Sequence, residues 1–261
     1  MWQVILLIIL IIILIVIPKP RPFVVLYSTG WREWETTIEN QMKLIERFGE
    51  PIFGIHYWSK MPIWRSVETN GTAPDEPPMP VRNWEYKHTI TDQTPEFLDK
   101  IKKHSKTNYT HSLGYMIEST KIALENAEEV YTRKFGHEMP DDTVILRLRP
   151  DVLVNVDKFP NEIPKGDNFY ISNWHRTARP EWNAELPEAG DIICLTTKKV
   201  LKSIVNTPIE DIERICNPDN KLVFTEHYLY SLLKYNNVEV INHPDMHISL
   251  QRSKDEIEVM S

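Results

Sequence analysis

The order strand, helix, strand in the stretch that begins at residue 23 limits the fold more than anything else in the chain. Residues 23–27, FVVLY, are apolar without interruption and read as a buried strand that stops at Ser28-Thr29-Gly30. A helical pattern follows over residues 33–48. Ile38, Met42, Ile45 and Phe48 recur at helical spacing, with Gly49 as a C-cap and Pro51 closing the unit. Residues 52–57 form a second short strand. Successive strands joined by a helix pair in parallel through a right-handed crossover. The expected class is therefore α/β, a mixed and mostly parallel sheet flanked by helices.

The rest of the chain continues that alternation. A helical region starts at Pro95, and residues 112–135 carry the strongest helical signal, with Met116, Ile117, Ile122, Ala123 and Val130 on the apolar side and Gly136 and Pro140 at the end. Strands are expected at 143–148, 168–171, 191–195 and 238–241, and helices near 198–205 and 224–234. Residues 60–95 are Pro-rich, aromatic and charged, and read as a long irregular loop with a functional role.

The N-terminus is a separate unit. Residues 4–17, VILLIILIIILIVI, are uniformly aliphatic, and Pro18 and Lys19-Pro20-Arg21-Pro22 follow. A helix of this composition has no polar face. It falls short of the roughly 20 residues that cross a bilayer, but Trp2 at one edge and Lys19 and Arg21 at the other extend it by anchoring and snorkelling. A cleaved signal peptide would carry basic residues before the apolar run and small residues at the cut, and neither is present. The expectation is a retained single-pass membrane anchor with a stiff spacer over residues 1–20, one domain over 21–252 and an acidic tail over 253–261. Lys19 and Arg21 follow the span, which under the positive-inside rule keeps them cytosolic; a luminal domain is the alternative, and the sequence leaves the side open.

Composition removes several classes. The net charge is −7, opposite in sign to the basic surface that grips nucleic acid. Cys194 and Cys216 are the only cysteines, which excludes a disulfide framework and a Cys-rich zinc site, and both read as small buried residues. P-loop, GxGxxG, GxSxG, HExxH and CxxC motifs are absent.

The segment with chemistry is 144–154, VILRLRPDVLV. Pro150 cannot donate to a ladder, so the strand must break there. That places Arg147, Arg149 and Asp151 at the carboxyl edge of the sheet, where open α/β folds bind ligands. Arg147 and Arg149 share a parity and should face one side until Pro150 disturbs the pleat. A ligand site and an Arg–Asp structural pair are both consistent with the spacing.

These motifs, taken in order, resemble a known group. The opening FVVLYSTGWREWETTIENQMKLIERFGEPIFGIHYW is similar to that of the WavE-type lipopolysaccharide and viral glycosyltransferases, with Gly30, Arg32, His56 and Trp58 at the matching positions. Arg147, Arg149 and Asp151 match an R-x-R-x-D strand, Gly190-Asp191-Ile192 a later strand, and Thr225-Glu226-His227-Tyr228 a Glu-led helix. The resemblance spans residues 23–245. It implies a GT-A-like fold and transfer of a sugar from a nucleotide sugar to a glycan or glycolipid hydroxyl; the acidic net charge already argues against a nucleic-acid partner.

The GT-A class holds a metal and the donor diphosphate with Asp-x-Asp. Here Arg149 stands at the first Asp, and Asp151 matches the last. The resemblance implies Mn²⁺ or Mg²⁺ on Asp151, phosphate oxygens and water, with His243 or His247 completing the site. Alternatively, Arg147 and Arg149 take over part of the metal's task, in which case chelation reduces activity without abolishing it. The donor side is assigned to Gly30, Arg32, Arg147 and Arg149, and the catalytic positions to Asp151, Asp191 and Glu226. Asp191 would meet an acceptor or ribose hydroxyl, or serve as a turn carboxylate. Glu226 opens a helix, where the macrodipole favours a carboxylate in any case, and as a base it must come within about 3 Å of a hydroxyl. Trp174 and His175 are the acceptor candidates, with Trp84, Arg176 and Trp182 also on loops; aromatics suit sugar faces, and Trp also fills cores. His56 and Trp58 read equally as site or core. The rival from another class is a non-catalytic, membrane-tethered carbohydrate-binding or scaffold protein with a decayed donor site.

Overall fold

A computed structural model describes residues 2, 23–30, 37–59, 84–92, 94–104, 108–160, 166–172, 189–190, 192–216, 225–251 and 257–258. The elements in chain order are β1 (Val24–Gly30), α1 (Ile38–Glu46), β2 (Ile52–Trp58), β3 (Glu85–Thr91), α2 (Pro95–His104), α3 (Asn108–Phe135), β4 (Val144–Leu148), β5 (Val152–Val154), β6 (Asn168–Ile171), β7 (Ile193–Thr197), α4 (Lys198–Val205), α5 (Ile209–Cys216), α6 (Thr225–Tyr235), β8 (Glu239–Asn242), β9 (Ile248–Gln251) and β10 (Ile257–Glu258).

A seven-stranded sheet runs in the order β3-β2-β1-β4-β7-β6-β8. β1 pairs in parallel with β2 and β4, β2 with β3, and β6 with β8. Only β7 runs against its neighbours, β4 and β6. The mixed, mostly parallel sheet matches the expected class. Alternation along β1 sends Val24 and Leu26 into one core and Val25 and Tyr27 into the other. The first core is closed by α3, α4, α5 and α6 through Ala123, Val130, Leu201, Ile212 and Leu229. The second is closed by Met42 and Ile45 of α1 and by Val152, Val154 and Ile248 of a small antiparallel sheet, β10-β9-β5.

α1 forms inside the expected 33–48 span, over Ile38–Glu46; residues 33–36 lie outside the described residues. Ile38, Met42 and Ile45 are buried, Glu39 lies in the first turn and Lys43 in the last. Gly49 then takes a φ of 103°, open to glycine and strained for other residues. Gly54 in β2 serves close approach. A Cβ there would lie 1.9 Å from the Ala123 carbonyl oxygen and 2.8 Å from the Ala127 Cβ, so its absence lets α3 settle on the sheet.

Four expectations are corrected or refined. Residues 85–91, read as part of a long irregular loop, form β3. This is an edge strand whose side chains are mostly half-buried, so it has no apolar run to betray it. α5 was not expected; only Ile209, Ile212 and Cys216 of its eight residues are buried. β7 starts two residues later than its apolar run suggested. Ile257–Glu258, inside the segment expected as a tail, pairs with Leu250 and Gln251 of β9. The expected anchor at residues 1–20 lies, apart from residue 2, outside the described residues, as do residues 60–83. No described helix is long and apolar enough to cross a membrane.

Candidate functional site

After β1 the chain builds outward through β2 and β3, and it then returns to β1's other side with β4. The carboxyl ends of β1 and β4 therefore flank the point where the strand order reverses, the usual ligand crevice of an open α/β sheet. β1 ends there at Ser28-Thr29-Gly30, and β4 ends at Leu148, followed by Arg149-Pro150-Asp151. β7 is reversed, so its first residues, after Gly190, start from this edge. β6 and β8 end on it, where the His243 amide donates to the Ile171 carbonyl at 2.9 Å. The Ala189 amide donates to the Glu226 carbonyl at 3.0 Å and ties the start of α6 to the segment before β7. Gly30, Arg149, Asp151, Gly190, Glu226 and His243 thus sit along one sheet edge. His247 lies on the flank, its carbonyl accepting from the Asn155 amide at 2.9 Å. Arg32, Trp174, His175, Arg176, Trp182 and Asp191 lie outside the described residues.

Pro150 breaks the strand as expected. β4 stays in the main sheet, β5 joins the small one, and Arg149-Pro150-Asp151 is the corner between them. Arg149 Nε donates to Asp151 Oδ1 at 3.0 Å and Nη2 to Oδ2 at 2.6 Å, a bidentate pair with both residues buried. The Arg–Asp pair that the spacing allowed is formed. Arg147 is also buried. Its Nε donates to Ser28 Oγ at 2.7 Å and Thr120 Oγ1 at 3.2 Å, and its Nη2 to the Ser28 carbonyl at 3.0 Å. The two arginines, two positions apart in sequence, are thus held by different partners. Arg147 and Thr120 also line a small cavity of about 20 Å³, otherwise walled by apolar side chains that include Ile117, Phe169 and Leu229.

α1 holds this corner by its main chain. Gln41 Nε2 donates to the carbonyls of Arg149, Pro150 and Val152 at 3.0, 3.2 and 2.7 Å. Tyr27 Oη fixes the same amide by donating to Gln41 Oε1 at 2.7 Å. Thr37 makes no capping bond for α1; its hydroxyl donates to the Pro150 carbonyl instead. Asn40 brackets Val154, donating to its carbonyl at 2.9 Å and accepting from its amide at 2.7 Å, as a neighbouring strand would. Arg47 continues the grip at the Val156 and Phe159 carbonyls. None of these residues was a sequence candidate. The one signal was Gln41, a polar residue on the buried stripe of Ile38, Met42 and Ile45.

Other candidates are core residues. His56 is fully buried, with Nδ1 at 2.8 Å from Ser119 Oγ and Nε2 at 3.1 Å from Thr91 Oγ1. Burial, with His88 adding repulsion, pushes its imidazole down to about 4. Trp58 stacks on Phe97 and meets Tyr115 edge-on. Trp84 stacks on Phe53. Tyr228 Oη donates to both Glu213 carboxylate oxygens, at 3.2 and 3.0 Å, and burial lowers the His227 imidazole. Cys194 and Cys216 are buried thiols, and burial pushes Cys216 up to about 12.

A divalent cation does not fit Asp151 as the described residues stand. Both carboxylate oxygens accept from Arg149, and His243 Nδ1 accepts from the Asp245 amide at 3.2 Å. Among the described residues no group of three or more His, Cys, Asp or Glu is placed to hold a metal, so the expected set of Asp151 with His243 and His247 is not assembled.

No family model matches the chain, and no curated protein matches it. Among solved structures it is similar to the galactosyltransferase LgtC in complex with donor and acceptor sugar analogs, at 13% identity and a TM-score of 0.39, over 84% of this chain and 73% of that one. It is also similar to mouse xyloside xylosyltransferase 1 in its apo form, at 12% identity and a TM-score of 0.30, over 85% of this chain and 84% of that one.

Proposed function

We propose that the chain is a GT-A-like glycosyltransferase, of the group the WavE-type enzymes exemplify, that moves a sugar from a nucleotide sugar to a glycan or glycolipid hydroxyl and is held at a membrane by residues 2–17. The observation that carries this reading is the Arg149-Pro150-Asp151 corner at the end of β4, beside Ser28-Thr29-Gly30 of β1 at the reversal point of the sheet. In this reading Gly30, Arg32, Arg147 and Arg149 serve the donor side, and Trp174 and His175 the acceptor. The acceptor oxygen bonds to the anomeric carbon, and the bond from that carbon to the donor phosphate oxygen breaks with its electron pair leaving on the diphosphate. The hydroxyl proton goes to a carboxylate, for which Glu226 is the first candidate and Asp191 the second. Fixed cationic groups stabilise the charge that develops on the diphosphate.

One observation favours the non-catalytic rival: the Asp151 carboxylate is already neutralised by Arg149. The experiment is a sugar-nucleotide screen on the full-length protein, read first by thermal shift and then by nucleoside diphosphate release. A ligand at about a hundred times its Kd stabilises by about 2.7 kcal/mol. Stabilisation with turnover supports the transferase. Stabilisation without turnover across acceptors supports the rival, and no shift with any sugar nucleotide removes the donor site.

A further inference from the structure

We infer that the cation meeting the donor diphosphate at this crevice is a guanidinium of the protein, and that donor binding needs no divalent metal. The inference rests on the transferase reading above. Its first support is the chemistry of the oxygens at the corner. A hard divalent cation needs about six oxygen ligands at roughly 2.0–2.6 Å. The oxygens here face hydrogen-bond donors. The two Asp151 oxygens accept from Arg149 Nε and Nη2 at 3.0 and 2.6 Å. The Arg149 and Val152 carbonyls accept from Gln41 Nε2 at 3.0 and 2.7 Å. The Pro150 carbonyl accepts from Gln41 and from Thr37. A metal on Asp151 would share the carboxylate with a guanidinium in direct contact and would displace donors set by an entire helix face.

The second support is the order of charges along the strand end. Arg147 and Arg149 bring two guanidinium groups and Asp151 one carboxylate to this edge, all three buried. Arg147 is fixed by Ser28 and Thr120, and Arg149 by Asp151, so both planes are oriented before a ligand arrives. The Nε and Nη2 edge of Arg149 is engaged by Asp151 and that of Arg147 by Ser28 and Thr120, so a phosphate oxygen would enter as an exchange partner for these acceptors, an exchange of planar fork contacts that a lysine cannot reproduce.

The test is calorimetric titration of the detergent-solubilised full-length protein with UDP, GDP and CDP, each in excess EDTA and in excess Mn²⁺. Affinity for the preferred diphosphate that agrees within about threefold between the two conditions is the expected result. A gain of more than about tenfold with Mn²⁺ overturns the inference and leaves the transferase reading standing. Failure of all three to bind in either condition removes the donor site and the inference with it. Arg149→Lys, checked for an unchanged circular dichroism spectrum, is expected to weaken binding in EDTA by about tenfold or more. Wild-type affinity in that folded variant also overturns the inference. The EDTA and Mn²⁺ comparison on the wild type needs no variant to fold.

Discussion

Arg149 and Asp151 face each other across Pro150 through two N–H···O contacts, 3.0 and 2.6 Å long, at the point where the chain leaves the main sheet for the small one. A buried ion pair is weak evidence of net stabilisation, but removing one partner strands the other. Asp151→Asn is therefore expected to lower stability by about 3 kcal/mol in urea unfolding, and the double change Arg149→Met with Asp151→Leu to recover most of it. An unchanged midpoint for Asp151→Asn would mean that the pair does not hold the corner.

Gln41→Leu leaves the carbonyls of Arg149, Pro150 and Val152 without the amide they share. Each unsatisfied buried group costs about 1–3 kcal/mol, and Thr37 still serves Pro150, so a loss of about 3 kcal/mol is expected. Hydrogen exchange should speed up at residues 149–154 more than in β2. Uniform acceleration would show a global effect instead.

Gly54→Ala places a methyl 1.9 Å from the Ala123 carbonyl oxygen. The obstacle is helix backbone, which cannot rotate aside, so a destabilisation of about 3 kcal/mol or more is expected from thermal or chemical unfolding. A loss below about 1 kcal/mol would show that α3 can shift away from β2.

The folded-state imidazole of His56 is held at about 4, well below its ordinary 6.5. The unfolded chain therefore binds a proton at this site that the folded chain refuses. The stabilising contribution is complete above pH 6.5 and declines as pH falls from about 6.5 to about 4, by about 3 kcal/mol in all. Urea midpoints measured over that window should fall less steeply in His56→Asn than in the wild type, and equal slopes would dissociate His56 from the acid sensitivity.

Residues 1–20 carry the proposed anchor. The full-length protein should enter the detergent phase on Triton X-114 partitioning, and the protein lacking residues 1–20 should stay in the aqueous phase with its cooperative unfolding intact. Recovery of the full-length protein in the aqueous phase would remove the membrane assignment.

What could be read from the sequence followed from how densely each element writes its own pattern. β1 is an uninterrupted apolar run and β2 a short, mostly apolar one, α1 repeats apolar residues at the helical period, and Pro150 stops a strand by lacking an N–H, so these features are visible in the sequence. The Arg149–Asp151 pair spans two residues, a separation that the spacing of the charges makes legible. β3 was hidden because an edge strand that is only half-buried needs no apolar run. The hold of α1 on residues 149–154 was hidden for another reason. Gln41 and Asn40 bond main-chain atoms more than a hundred residues away, and no spacing records that.

The hydrogen bonds that Thr37, Asn40 and Gln41 send to residues 149–154 end on amides and carbonyls. A turn clasped in this manner has much of its route through space set by contacts that do not read the side chains mounted on it. Positions 149 and 151 can then be exchanged as a pair, over evolutionary time or by an engineer, since a change at one alone strands a buried charge at the other. The polarity of this edge can be rewritten by changes made two at a time, while the path of the chain is inherited.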